Sequence, residues 1–174
     1  MIVSTDDYKT NIGANVSDAF LANCLAAAQR AVETKLGYPL ESASRTKSFL
    51  FNGCRTFNLG EYNVTVITSV TVGDTPLDSS KYSAEDYFLA LAEDVGILRG
   101  ESVEIVFTAG WTAVNLPKDI FLAILYIAQA LTKNKGTGGF ATQANFGEGS
   151  IVFDQTKYFR FFDMVKEYRI ASLW

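Results

Sequence analysis

The longest apolar run in the chain predicts a buried helix. Residues from Ile120 to Leu131 are apolar at nearly every position, so the helix has no polar side to face water. The preceding segment, Leu116-Pro-Lys-Asp119, has proline and an acidic residue where a helix begins. Before it, Val103–Trp111 is typical of a strand that ends at a glycine corner. We predict a buried helix over 117–135, covered by the rest of the chain or by neighbouring subunits.

A second helix is predicted near the start of the chain. Four apolar residues recur at helical spacing, namely Leu21, Leu25, Ala28 and Val32. Ser17 stands at the expected N-cap, and Gly37 ends the pattern just before Pro39. These features predict a helix over 17–36 with one side in the core.

The middle of the chain predicts antiparallel strands. Asn52-Gly53 has the residues that a tight turn needs, which predicts a hairpin between Lys47–Phe51 and Arg55–Leu59. Val64–Val72 is β-branched almost throughout and predicts a further strand. Tyr82–Leu91 fits either a strand of a meander or a helix, and the extended form is favoured.

Two short strands are predicted to complete this region. They are Gly96–Leu98 and Ser102–Thr108, joined through Arg99-Gly100. The β region then spans about 47–109.

The C-terminal part predicts a loop followed by a helix. Glycine-rich sequence over 136–150 predicts a long loop of the kind that is functional or becomes ordered on assembly. Over 155–173 an apolar side predicts a helix, with Tyr158, Phe161, Phe162, Val165 and Ile170 on that side. The order of elements indicates an α+β fold, mainly a helical bundle of helices 17–36, 117–135 and 155–173, with an antiparallel β region inserted at about 47–109. We expect a single domain, 1–174, with a C-terminal helical extension at 155–174.

The composition argues against enzymatic chemistry. The chain has no histidine, which removes the commonest general base and the commonest zinc ligand. Cys24 and Cys54 are far apart and lack metal-ligand spacing, so we interpret both as reduced structural thiols. Lys135–Gly139 follows a helix and lacks the ending of a phosphate-binding loop. We expect no catalytic residue, no metal ligand and no cofactor.

The charge argues against a patch that binds nucleic-acid phosphates, and the apolar runs argue against a membrane span. The net charge is −4 and the isoelectric point is about 4.8, which does not suit a phosphate-gripping patch. The run Ile120–Leu131 is too short to span a bilayer and contains Gln129, so no membrane partner is expected.

Aromatic residues are concentrated near the C-terminus. Tyr158–Phe162 has four aromatic residues in five positions, more than one side of a helix. They form either the core side of an amphipathic helix or a surface that binds a partner subunit. The candidate interface residues are Phe140, Phe146, Tyr158, Phe159, Phe161, Phe162 and Trp174.

Several segments together resemble a known family. They are Ser17-Asp-Ala-Phe-Leu21, Ala31-Val-Glu-Thr-Lys-Leu-Gly-Tyr-Pro-Leu40, Ile67–Val72 with Asp86-Tyr-Phe88, Val106-Phe-Thr-Ala-Gly-Trp111, and Leu116-Pro-Lys-Asp-Ile120. In this order and spacing the chain resembles the head–tail connector (adaptor, or head-completion) proteins of tailed bacteriophages. The resemblance covers most of the chain.

The resemblance implies a structural role in the neck of a virion. Copies of the chain, typically twelve, would form a homo-oligomeric ring beneath the portal protein, after synthesis in the host bacterial cytoplasm. The ring would extend the channel through which genomic DNA passes without sequence-specific binding, and would dock a stopper or tail protein. The segment 136–150 and the C-terminal helix are expected to contribute ring or portal contacts.

Other functions remain open at this point. A tail-completion or stopper protein shares the neck location, and a small peptide-binding module would use exposed strand edges. A small α+β enzyme is disfavoured because histidine and nucleotide motifs are missing.

Overall fold

The chain folds into two compact units. The computed structural model describes residues 1–13, 16–133, 141–145, 150–153 and 159–170. Met1–Leu40 and Thr112–Trp174 form one unit, called here the helical unit, and Glu41–Trp111 form the other, called the β unit.

The helical unit is built around two long helices. Its helices are α1 (Thr5–Asn11), α2 (Asp18–Leu36), α3 (Lys118–Lys133) and α4 (Phe159–Phe162), and a 3₁₀ helix (Asp163–Tyr168) continues directly from α4.

Helix α3 confirms the prediction of a buried apolar helix. Every residue from Ile120 to Thr132 is buried or half-buried. The strand before it ends at Ala109 and is followed by Gly110, whose φ of 100° is in the left-handed region, and Pro117 stands immediately before the first helical residue. The helix therefore has the cover that its composition demands.

Helix α2 confirms the prediction for 17–36. Ser17 is at the N-cap, although its side chain makes no capping hydrogen bond, and Gly37 ends the helix with a φ of 89°. Buried Gln29 accepts a hydrogen bond from Ile2 N at 3.0 Å and donates to Glu33 Oε1 at 2.9 Å. Glu33 in turn accepts a hydrogen bond from Leu40 N at 3.0 Å. These hydrogen bonds join Ile2, before α2, and Leu40, after it, to the helix.

Helix α1 was not predicted from the sequence. Ser4 and Asp7 form a capping box, in which Ser4 Oγ accepts from Asp7 N at 3.0 Å and Asp7 Oδ2 accepts from Ser4 N at 2.9 Å. Tyr8 is buried, and its hydroxyl lies 2.9 Å from Thr132 Oγ1 of α3. The serine-to-acid spacing was the available signal for this helix.

The β unit contains two antiparallel sheets. Their strands are β1 (Ala43–Leu50), β2 (Thr56–Asn58), β3 (Val64–Val72), β4 (Thr75–Pro76), β5 (Tyr82–Glu85), β6 (Phe88–Leu91) and β7 (Ser102–Ala109). One sheet has the strand order β1-β7-β3-β4 and the other has the order β2-β6-β5. The strand predictions for Val64–Val72 and Ser102–Thr108 are confirmed, and Tyr82–Leu91 is extended as favoured.

The predicted hairpin around Asn52-Gly53 is wrong. Strand β1 pairs with β7, whereas β2 pairs with β6 in the other sheet. Asn52 Oδ1 accepts a hydrogen bond from Cys54 N at 2.9 Å, and the chain turns a corner from one sheet to the other. Turn residues of this kind favour a reversal of the chain, but they do not determine which strands pair.

The predicted strand at Gly96–Leu98 is also wrong. In this segment Leu98 O accepts a hydrogen bond from Glu101 N at 3.1 Å, and Leu98 N donates to Glu101 Oε2 at 2.5 Å. The segment is a turn that leads into β7.

The α+β class is confirmed, but a mainly helical bundle is not supported, because the β unit occupies the whole of 41–111. The helix predicted over 155–173 is confirmed in part: 159–168 are helical, but α4 changes at Asp163 to the 3₁₀ form, which ends at Tyr168. Residues 155–158 and 171–173 lie outside the described residues. A 3₁₀ helix has three residues per turn, and Phe162, Val165 and Tyr168 recur at that spacing.

The predicted glycine-rich loop contains a strand. Strand β8 (Ala141–Asn145) pairs with β9 (Ser150–Phe153) in a two-stranded antiparallel sheet. Ala141–Asn145 has no alternation of apolar and polar residues and has glycines on both sides, so its pattern did not indicate a strand.

Candidate protein interface

Two of the seven predicted interface residues have described surroundings. Phe162 is 3% exposed, and Lys35 Nζ lies 5.7 Å from the centre of its ring. Phe161 is half-buried, and its ring centroid lies 5.9 Å from that of Tyr126 on α3, with the planes 28° apart. Phe162 is therefore part of the core of its own unit, whereas Phe161 retains accessible surface.

The side chains of the other five candidate residues lie outside the described part of the chain. Phe159 belongs to α4, and its side chain is outside the described residues. Phe140, Phe146, Tyr158 and Trp174 also lie outside the described residues. Their assignment to an interface stays a prediction.

A shallow cavity lies beside Phe162 in the helical unit. It has a volume of about 170 Å³ and is lined by Lys35, Leu36, Phe162, Asp163, Val165, Lys166 and Arg169. Three of these residues are basic and one is acidic, so a positively charged rim surrounds an apolar floor. Such a surface suits a partner side chain that is apolar with a negative tip.

The 3₁₀ helix is held to both long helices. The hydroxyl of Tyr38, just after α2, donates to Tyr168 O at 2.7 Å. Burial raises the pKa of Tyr168, and the negative charges of Asp119 and Glu167 raise it further. Asp119 is in the first turn of α3, so Tyr168 lies within electrostatic reach of the start of that helix.

The β unit is acidic, and its basic side chains are bound within it. Residues 41–111 include ten acidic and five basic residues, whereas the rest of the chain has nine acidic and ten basic residues. Each of the five basic side chains contacts a carbonyl or carboxylate of the β unit: Arg45 with Glu61, Lys47 with Leu59 O, Arg55 with Ala92 O and Val95 O, Lys81 with Asp94, and Arg99 with Asn52 O.

Many of the acidic side chains face solvent without such partners. Within the part of the chain that the structure describes, no hydrogen bond or ion pair engages the exposed carboxylates of Asp74, Glu85, Asp86, Glu93 and Glu104. Because the cations are bound internally, the β unit presents negative charge to its surroundings.

Two of these carboxylates border an open cavity on the small sheet. The cavity has a volume of about 310 Å³ and is lined by Thr56, Ser83, Glu85, Asp86, Tyr87, Phe88 and Ala90. Burial raises the pKa of the nearby Tyr62, and Tyr87 and Asp86 raise it further. The lining offers carboxylates and hydroxyls, but none of the base–nucleophile pairs used in covalent catalysis.

The two thiols differ in burial. Burial raises the pKa of Cys24 to about 11, so this thiol stays protonated near neutral pH. Cys54 is exposed, and its Sγ lies 3.5 Å from Thr56 O. Among the described residues, no three His, Cys, Asp or Glu side chains are grouped so that they would hold a metal ion.

Comparison with known families identifies the chain. A model of the Head completion protein family matches residues 1–159. The chain belongs to the Head completion protein family. No curated protein matches the sequence.

Solved structures share the fold. A chain from the neck of a native gene transfer agent particle, computed with C12 symmetry, is 19% identical with a TM-score of 0.67, and the match covers 99% of this chain and 91% of that one. A chain from the neck of an empty particle of this kind, computed with C6 symmetry, is 19% identical with a TM-score of 0.68, covering 99% and 92%. At this level of identity the likeness shows the fold. Of the helices described here, none has the length and apolar character to cross a bilayer.

Proposed function

We propose that this head completion protein is a head–tail connector (adaptor) subunit, a structural and non-enzymatic protein of the virion neck. Copies form a ring beneath the portal protein, extend the DNA channel and dock a stopper or tail protein. The observation that supports this most directly is the family match over residues 1–159, together with a fold shared with chains of gene transfer agent necks.

The charge distribution of the β unit fits a channel for DNA. Its five basic side chains are bound internally, and its exposed carboxylates repel phosphate. Passing DNA would then meet a surface on which it does not adhere. We therefore propose that the acidic β unit lies along the path of the genome.

Electron microscopy of the purified chain mixed with its portal protein tests the connector role. The expected result is ring-shaped density coaxial with the portal and built from copies of this chain. Binding to a preassembled portal–connector complex, with no affinity for the portal alone, would instead indicate a stopper or tail-completion protein. The chain without portal is the control, because a connector subunit can remain monomeric until the portal orders it.

The channel assignment has its own test. Replacing Glu85, Glu93 and Glu104 by lysine should make assembled rings retain double-stranded DNA in a gel-shift assay, and the retention should weaken steeply as salt rises. Replacing the same residues by glutamine is the matched control, which removes negative charge without adding positive charge. Equal DNA release by wild-type and lysine rings would place the β unit away from the channel.

A further inference from the structure

Strand β1 is an eight-residue strand at the edge of the larger sheet, and one side of its backbone is open. Phe51 N donates to Glu101 O at 2.9 Å, and this pair continues the register in which Leu50 faces Ser102. Hydrogen-bonded and non-hydrogen-bonded pairs alternate along an antiparallel ladder. The odd-numbered residues of β1 therefore bond to β7, and the even-numbered ones direct N–H and C=O away from it.

The open side is formed by Ser44, Thr46, Ser48 and Leu50. No hydrogen bond joins their backbone groups to any other residue that the structure describes. Their side chains are exposed, and Leu50 is 75% exposed. Four donors and four acceptors thus stand in a row beside uncharged side chains.

Native proteins usually protect such an edge with an outward lysine, a proline or a bulge. The two cations of β1 do not serve this purpose, because Arg45 pairs with Glu61 and Lys47 donates to Leu59 O. Strand β1 has no proline, and its register with β7 has no bulge. The edge is straight and unprotected.

The opposite edge of the same sheet is protected. Strand β4 has only two residues and includes Pro76, and β3 has register shifts at Val64–Val66 and Ile67–Ser69. The opposite edge thus has a short strand, a proline and register shifts, all of which hinder the addition of another strand, and the β1 edge has none of them. This difference indicates that the β1 edge is available for pairing.

The β8–β9 hairpin has the complementary property. In the described residues it forms a sheet of two strands only, and a hairpin of this size is marginally stable by itself in water. The irregularity between Ala141 and Gln143 places an extra residue in β8, so β9 has the more regular edge. Residues 136–147 contain no charged residue, and β9 has the strand-forming sequence Ser150-Ile-Val-Phe153.

We propose that β9 of one copy adds to the β1 edge of a neighbouring copy, extending its four-stranded sheet to six strands across the interface. A strand of four residues is roughly 13 Å long, about half the length of β1, so the edge has room for it. The contact joins different surfaces of the two copies, and repeated contacts of this kind form a ring when the rotation between neighbouring copies closes. The inference rests on the proposed ring and identifies one of its interfaces.

A proline substitution tests the pairing. Thr46→Pro removes an N–H that makes no bond inside the chain and places a ring where the added strand would lie, so the fold should persist. Thr46→Val is the matched control, because it keeps the N–H. Ser48→Pro is a second variant of the same design. Circular dichroism and thermal unfolding establish that each variant is folded.

The measurement is binding of a fluorescent peptide with the sequence of residues 139–155 to the full chain, followed by anisotropy. Wild type and Thr46→Val should bind alike, and each proline variant should bind at least about tenfold more weakly. Hydrogen exchange on the wild-type complex adds a measurement that needs no proline variant. The exchange rates of the backbone amides of Ser44, Thr46 and Ser48 should fall when the peptide binds.

Three results would overturn the inference. The first is equal peptide binding by the proline variants and the wild type, and the second is no binding to the wild type at millimolar peptide. The third concerns a chain that lacks residues 140–154: the peptide binds to this chain but not to the full chain. The last result would mean that each hairpin covers the edge of its own chain.

Electron microscopy with the portal separates this inference from the proposed function. If the proline variants form rings as wild type does, the β1–β9 contact is wrong and the connector role stands. If wild type binds the peptide but forms no ring on the portal, the strand pairing stands and the connector role is wrong.

Discussion

Replacing Phe162 with alanine separates the two roles that the sequence left open for the aromatic C-terminal segment. If Phe162 is a core residue, its loss destabilises the isolated chain. If it serves only a partner, the isolated chain should lose less than about 1 kcal/mol, the usual range for surface changes. The structure favours the core role, because the side chain is 3% exposed.

The magnitude follows from the buried area. A phenylalanine buries roughly 150–250 Å², which at about 25 cal/mol per Å² gives an upper limit of about 4–6 kcal/mol. Measured Phe→Ala changes in cores cost about 3–5 kcal/mol. Because the cavity of about 170 Å³ beside the ring leaves neighbours room to relax, we expect the low end, about 3 kcal/mol.

Urea unfolding followed by far-ultraviolet circular dichroism measures this change, since the long helices α2 and α3 dominate the signal. Phe162→Leu keeps most of the volume and should cost less than about 1.5 kcal/mol. Phe161→Ala should cost about 1 kcal/mol through loss of its contact with Tyr126. A Phe162→Ala chain within about 1 kcal/mol of wild type would refute the core assignment.

Three further predictions concern single groups. Because burial raises the pKa of Cys24 to about 11, a thiol reagent at pH 8 should modify Cys54 alone in the folded chain and both cysteines after unfolding; two fast-reacting thiols in the native state would contradict this. The hydrogen bond to Lys81 lowers the pKa of Asp94 below its ordinary 3.8, so the stability that the pair contributes is complete above that value and is lost as pH falls through the lowered pKa; Lys81→Ala should raise the Asp94 midpoint in an NMR titration. Tyr8→Phe should cost about 1 kcal/mol in urea unfolding by removing the hydrogen bond to α3, and an unchanged midpoint would show that water replaces it.

The helices were predictable where the pattern is local. Helix α3 follows from an apolar run with a proline start, and α2 from helical spacing and a terminal glycine, because these signals lie within the helices themselves. Strand pairing was less predictable. Asn52-Gly53 indicates a turn, but whether β1 pairs with β2 or with β7 depends on side chains that are distant in sequence.

The candidate interface was only partly predictable. The sequence marked the aromatic cluster but did not separate buried Phe162 from half-buried Phe161, because the change from α-helix to 3₁₀ helix alters which residues share a side. The internal binding of all five cations of the β unit was also beyond sequence analysis. The partners of Arg55, for example, are carbonyls about forty positions away in the chain.

Ionic strength distinguishes the two kinds of surface that this chain presents. The open edge of β1 and the strands β8 and β9 carry no charged residue, so pairing between them depends on backbone hydrogen bonds that salt screens little. The exposed carboxylates of the β unit and the basic rim of Lys35, Lys166 and Arg169 act through charge and weaken as salt rises. Rings held by β1 should therefore persist at high salt, whereas contacts through the basic rim should be lost. Rings that dissociate at about 0.5 M salt would mean that charged contacts, rather than strand pairing, hold the copies together, because the Debye length there is only a few ångströms.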